Sequence, residues 1–284
     1  MDALAPLHAL EARSEVLHTR AGKAFMIWRS WGEGAPIVLL HGGHGSWSHW
    51  ICNIPALARR RRVFAPDIPG FGESPPVSFD AMEPLAAILV AGLRQAIPYD
   101  RFHLAGFSFG AIVAGYMLEE LGPRVRRLFL VGSAGLGRFN SVTERLKRWR
   151  DARDYAARAA IHRHNLAELM IADATRIDDL AVALQTHNSE RATANFRRAA
   201  AAANLRNRIA RSSTPVSGLF GGRDALMMGY LEERRTFIET RPNSDLSVVP
   251  HAGHWVQYEA PDEVNAWMGS RVTRDIEVEM SSAR

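Results

Sequence analysis

Residues 102–110 read Phe102-His103-Leu104-Ala105-Gly106-Phe107-Ser108-Phe109-Gly110, and this stretch decides the fold. An apolar run of strand length, Phe102–Ala105, enters Gly-x-Ser-x-Gly, and a helix-length apolar segment, Phe109–Leu121, follows at once. A serine at so sharp a strand-to-helix turn is held in a strained backbone conformation with its hydroxyl exposed. Glycines two residues to either side remove the Cβ atoms that would keep strand and helix apart. Five residues alone are a weak signal, so the surroundings must give it weight.

Outward from this turn, short β-like runs alternate with helix-length segments, the pattern of a mostly parallel sheet covered by helices. Continuous apolar runs predict strands buried on both faces at Ile37–His41, Arg62–Ala65, Phe102–Ala105, Leu128–Val131, Val216–Phe220 and Leu246–Val249. Val16–Thr19 and Ala24–Trp31, separated by Arg20–Lys23, predict an antiparallel hairpin at the sheet edge. Helices are expected at Met82–Ala96, Phe109–Leu121, Tyr230–Glu239 and Pro261–Met268, with the tail beyond Arg271 frayed. Residues 138–211 break the alternation. They are rich in Ala, Arg and Leu, lack β-branched runs, and predict a helical insertion over one end of the sheet.

A serine hydroxyl needs a positioned base, and the base needs an orienting acid. The base is expected just beyond the last buried strand, where Pro250-His251-Ala252-Gly253-His254-Trp255 offers two histidines. His254 is favoured because Gly253 allows a tight loop, whereas His251 still sits at the strand edge. The acid is expected after the preceding strand, where Gly221-Gly222-Arg223 leads to Asp224, a residue that could equally cap a helix. The loop one strand earlier, Gly132–Gly137, holds no carboxylate. The order Ser…Asp…His discriminates among serine hydrolase architectures. Oxyanion donors are expected from the amide of Phe109 and from His41-Gly42-Gly43-His44-Gly45, with Gly43 favoured.

The chain resembles the α/β-hydrolase family over essentially its whole length. The matching residues are His41-Gly42-Gly43, Asp67-Ile68-Pro69-Gly70-Phe71-Gly72-Glu73-Ser74, Gly106-Phe107-Ser108-Phe109-Gly110, Gly222-Arg223-Asp224 and Gly253-His254-Trp255. The resemblance implies an eight-stranded, mostly parallel sheet flanked by helices, with a core domain of residues 1–137 and 212–284. It also implies a helical cap of residues 138–211, a small-molecule substrate and no cofactor. Asp67 and Ser74 are expected to hold their loop in shape. Gly132–Gly137 and Gly253–Glu259 are similar to the meta-cleavage product hydrolases, which split carbon–carbon bonds with the same triad. A cap arginine would then hold the substrate carboxylate, with Arg191, Arg197 and Arg198 available. His44, Arg191 and Trp255 are the candidate substrate contacts.

The implied activity is hydrolysis of a carboxylic ester, thioester or activated C–C bond through Ser108, His254 and Asp224. Aspartate-nucleophile chemistry on epoxides needs a carboxylate at position 108. A non-enzymatic receptor keeping the same pocket is the alternative from another class, and a fold alone does not separate the two.

Composition narrows the partners. The chain has 284 residues, 47% hydrophobic and 23% charged, enough for a large core and unlike a disordered chain. Cys52 stands alone, so no internal disulfide and no zinc-finger spacing is possible. The histidines form no metal-ligand set, and no metal is expected. No apolar block reaches the roughly 18 residues of a membrane span, nor does the start look like a signal peptide, so a cytoplasmic location is expected. The net charge of +5 and the run Arg59–Arg62 raise nucleic acid as a partner. Against it stand only two lysines, interspersed acids and no recognition motif, so the run reads as a solvated turn, with an anion-binding patch as the second reading. A homodimer is compatible with the sequence but not indicated by it.

Overall fold

A computed structural model describes residues 2–98 and 100–282. Eight strands, β1 (Glu15–Ala21), β2 (Ala24–Trp31), β3 (Pro36–Leu40), β4 (Arg62–Pro66), β5 (Phe102–Phe107), β6 (Val125–Val131), β7 (Val216–Gly221) and β8 (Asp245–Val249), form one sheet. Their order is β1-β2-β4-β3-β5-β6-β7-β8. The β1–β2 and β2–β4 pairs are antiparallel and the rest parallel, with Val38 of β3 set between Phe64 of β4 and Leu104 of β5. The β1–β2 turn is tight, with Gly22 at φ +59°.

Every residue of β3 and β5 is buried, as strands covered on both faces require. The helices Met82–Ala96 and Phe109–Leu121 cover one face, presenting Leu85, Leu89 and Leu93 at helical spacing. Trp50 and Trp255 pack on the other face together with Trp267 of the helix Pro261–Ser282. Because β3 to β8 run parallel, their carboxyl ends gather at one edge, where open α/β sheets place their ligand crevice.

Between β6 and β7 the described chain contains no strand. It carries helices at Tyr155–Asn165, Asp179–Arg191, Arg197–Ala202 and Leu205–Ala210, with a π-helical turn at Leu166–Met170. The expected fraying after Arg271 is overturned. The last helix continues to Ser282, because Val272 is buried and Asp275 bridges to Arg127 at 2.6 and 2.8 Å and to His103 at 3.3 Å. Two short helices, Ala5–Glu11 and Ile54–Leu57, escape sequence reading because neither is long enough to show a period. Among the described residues no helix is long and apolar enough to cross a membrane.

Candidate active site

Ser108 joins β5 to the helix Phe109–Leu121 with φ +50° and ψ −112°, a backbone region that residues with side chains seldom occupy. Its N–H donates to the Val131 carbonyl at 2.9 Å, which ties the turn to β6. The two motif glycines are required by contact. A Cβ at Gly106 would fall 2.4 Å from the Gly110 carbonyl oxygen, and one at Gly110 would fall 2.4 Å from that of His41. Strand, turn and helix therefore close to a distance at which side chains do not fit.

The loop after β8 carries His254 to this turn, and the loop after β7 carries Asp224 behind it. His254 Nε2 lies 3.0 Å from Ser108 Oγ, and His254 Nδ1 lies 2.8 Å from Asp224 Oδ2. Asp224 is fully buried, and its Oδ1 accepts the Leu226 N–H at 2.9 Å. With Nδ1–H donating to the carboxylate, Nε2 is left as the acceptor for the serine hydroxyl. His251, the other histidine of the segment, is exposed and pairs with Glu263 at 3.2 Å.

The histidine loop is held from beneath by a residue that the sequence reading gave no role. Buried Glu259 accepts the amides of Gly253 at 2.7 Å, Asp173 at 2.8 Å and Ala172 at 3.1 Å. The Trp255 N–H donates to the Met170 carbonyl at 2.7 Å. These bonds stitch the His254 loop to the helical stretch between β6 and β7. Charge-assisted acceptance of several amides is among the stronger ways to fix a loop.

The glycine loop after β3 sits against the serine, since a Cβ on Gly42 would meet the Phe107 ring at 2.9 Å and Ser108 Cβ at 3.3 Å. Two neutral imidazoles shape it. His41 Nδ1–H donates to the Gly42 carbonyl at 2.8 Å while Nε2 accepts the Ile68 N–H at 2.9 Å, and burial lowers its pKa to about 4. His49 Nδ1 accepts the Gly42 N–H at 3.2 Å, and burial, then His41, His254 and His44, hold it well below its usual range. The Gly42 amide is thus committed. The Gly43 amide has no acceptor among the described residues, and the Phe109 amide, first in its helix, has no intrahelical one.

Asp67 and Ser74 behave as loop anchors. Asp67 Oδ1 accepts the Trp47 N–H and Oδ2 the Glu73 N–H, both at 2.9 Å, while Ser74 Oγ accepts the Ile27 N–H at 2.9 Å.

The candidate substrate contacts divide. His44, at φ +55°, packs edge-on against Phe196 at 5.2 Å, and its pKa is lowered to about 4 by burial, then by the charges of Arg197 and Arg150. Phe196, unnoticed in the sequence, lies over Gly43 and makes an aromatic wall with Phe109 at 4.5 Å and Phe71 at 5.6 Å. Arg191 is elsewhere: exposed at the end of its helix, it donates to the ring and carbonyl of His187. Trp255 is fully enclosed, with its indole N–H on the His49 carbonyl at 2.9 Å and its ring stacked on Tyr258. Core packing, not access, governs that side chain. Arg198 opens onto a separate cleft with Phe79 and Asp80.

Residues 35–261 match the model of the family described as alpha/beta hydrolase fold. The chain is 29% identical over 239 residues to the dihydrolipoyllysine-residue acetyltransferase component of the acetoin cleaving system of Pseudomonas putida, covering 83% of this chain but only 62% of that protein. It is 29% identical over 252 residues to 2-hydroxy-6-oxo-6-phenylhexa-2,4-dienoate hydrolase of Burkholderia cepacia, covering 82% of this chain and 86% of the relative. The fold superimposes on the carboxylesterase of Bacillus subtilis with a TM-score of 0.76 at 19% identity, covering 95% of this chain and 98% of that one. The chain belongs to the α/β-hydrolase fold family.

Proposed function

We propose that this hydrolase cleaves a carboxylic ester, thioester or activated carbon–carbon bond of a small hydrophobic or aromatic acyl substrate through an acyl-enzyme on Ser108. The observation that carries the reading is the continuous chain from Ser108 Oγ to His254 at 3.0 Å and on to Asp224 at 2.8 Å, built on a strained turn. His254 Nε2 takes the serine proton as Oγ attacks the carbonyl carbon, and Asp224 steadies the imidazolium. The amides of Gly43 and Phe109 receive the developing oxyanion, each worth about 10²–10³ in rate where such donors have been removed. The proton then passes to the leaving alkoxide, thiolate or carbanion, and water repeats the sequence to free the acid.

Residues 138–211 form the cap of this reading, and residues 1–137 and 212–284 the core. Phe71, Phe109 and Phe196 give the acyl side its apolar character. C–C cleavage is the second reading, favoured by the similarity to the dienoate hydrolase over most of both chains. In that reading Arg197, with Arg150, is the guanidinium proposed to meet a substrate carboxylate, since the charges of both help lower the His44 pKa.

The test is labelling by a fluorophosphonate together with turnover of short p-nitrophenyl esters and of one vinylogous ring-cleavage product. Labelling confined to Ser108 and multiple turnovers of either class support the reading. A protein that resists the probe, or returns every acyl ligand intact, overturns it in favour of a receptor.

A further inference from the structure

The arginine run after the helix Ile54–Leu57 lies at the amino edge of the parallel strands, the end opposite Ser108. Arg62 is engaged there, bonded to Glu15 at 2.6 Å and lying over the Phe64 ring. Among the described residues the three before it are not. Arg59, Arg60 and Arg61 line a cleft of about 490 Å³ whose other wall is the C-terminal helix, which adds Thr273, Arg274 and Glu277.

Among the described residues Arg59, Arg60, Arg61 and Arg274 form no ion pair, and Glu277 is the only carboxylate lining the cleft. Elsewhere the protein pairs its arginines readily: Arg208 alone holds Glu83 and Glu119. Arg61 is half-buried. Its pKa is lowered, first by burial and then by Arg126 and Arg60, so positive charge is crowded at this wall. The cleft is also open at its floor, since a Cβ on Gly269 would meet nothing within 4 Å.

Guanidinium groups present forked donors that match phosphate oxygens, and like charges held together in a concavity favour a multiply charged anion over a monocarboxylate. A cleft walled by one helix and one turn suits a small ligand. A duplex or a lipid surface calls for an extended or flat basic face. We propose that this cleft binds a small, multiply charged phosphate-bearing anion at a site separate from the serine centre. Strand β5, of six residues, sets the two roughly 20 Å apart.

Calorimetric titration of the full chain with pyrophosphate at low ionic strength tests this, with acetate, a short DNA duplex and anionic phospholipid vesicles as the other arms. Pyrophosphate is expected to bind and to raise the melting temperature, with affinity falling as salt is added. The R60A/R274A variant changes two exposed side chains and is expected to lose about tenfold or more per arginine, with p-nitrophenyl ester turnover unaltered. Arg61→Gln should weaken binding in the same direction. Three results overturn the proposal: no pyrophosphate binding by the wild type in the millimolar range, undiminished binding by R60A/R274A, or binding of duplex or vesicles with which pyrophosphate does not compete.

Discussion

The two ends of the sheet treat polar groups in opposite ways. At the carboxyl edge, His41, His49, Asp224 and Glu259 are buried, and each hydrogen-bonds a named backbone amide or side chain. The imidazoles of His41 and His49 are held neutral there by burial. At the amino edge, Arg59, Arg60 and Arg274 are exposed and have no carboxylate partner among the described residues. The contrast follows from what each end can do. A reacting centre needs atoms fixed to fractions of an ångström, which buried and saturated groups supply. An uncommitted charge, by contrast, can only attract.

The contrast breaks most sharply at position 108. Ser108→Ala is expected to lower kcat/KM by about 10⁴ or more and to abolish fluorophosphonate labelling, while melting as the wild type does or slightly higher because the strained turn loses nothing else. Asp224→Asn should cost about 10³–10⁴ in kcat by presenting the wrong imidazole tautomer, with substrate KM little changed.

Glu259→Ala leaves three amides without their acceptor and is expected to destabilise by about 3 kcal/mol, read as a lower denaturation midpoint. Its kcat should fall more than its KM rises, and Glu259→Gln should recover part of both. Acid sharpens the comparison further. The folded pKa of His41 lies near 4 against about 6.5 when unfolded, so between those values the unfolded chain binds the extra proton. Stability is therefore lost as pH falls from about 6.5 to 4, by roughly 3 kcal/mol from this residue. Denaturation midpoints across that range check the sign, and His41→Asn should flatten the slope. The smallest effect is expected of R60A/R274A on ester turnover, which should be none.

What the sequence makes legible is local. Apolar runs located β3, β5 and β7 to within two residues, and Gly-x-Ser-x-Gly announced its own turn. The approach of Ser108, Asp224 and His254 was legible because the alternation of strands and helices brings successive loops to one edge. What could not be read depends on partners far along the chain. Trp255 looks accessible beside His254 until the His49 carbonyl, 206 positions earlier, claims its indole. Arg191 looks available until its own helix returns it to His187. Glu259 stands in the same stretch as His254, yet two of the amides that donate to it, those of Ala172 and Asp173, lie some 86 positions away. Phe196 gave no periodic signal because it sits between two helices.

One feature of the architecture bears on how a ligand reaches the serine. The stretch between β6 and β7 is fastened along its length: Asn188 to Ser46 at 2.8 Å and to Ser48 at 3.0 Å, Thr193 and Ala194 to the Gly70 carbonyl, Asp178 to the Tyr258 hydroxyl at 2.7 Å, and Ala172 to Glu259. A stretch riveted at so many points does not swing as a door on its two terminal hinges. If this stretch covers the serine as proposed, entry falls to small local yielding between rivets, and the Phe196 ring over Gly43 lies in that seam. An exchange of these helices for others would have to import their fasteners along with them.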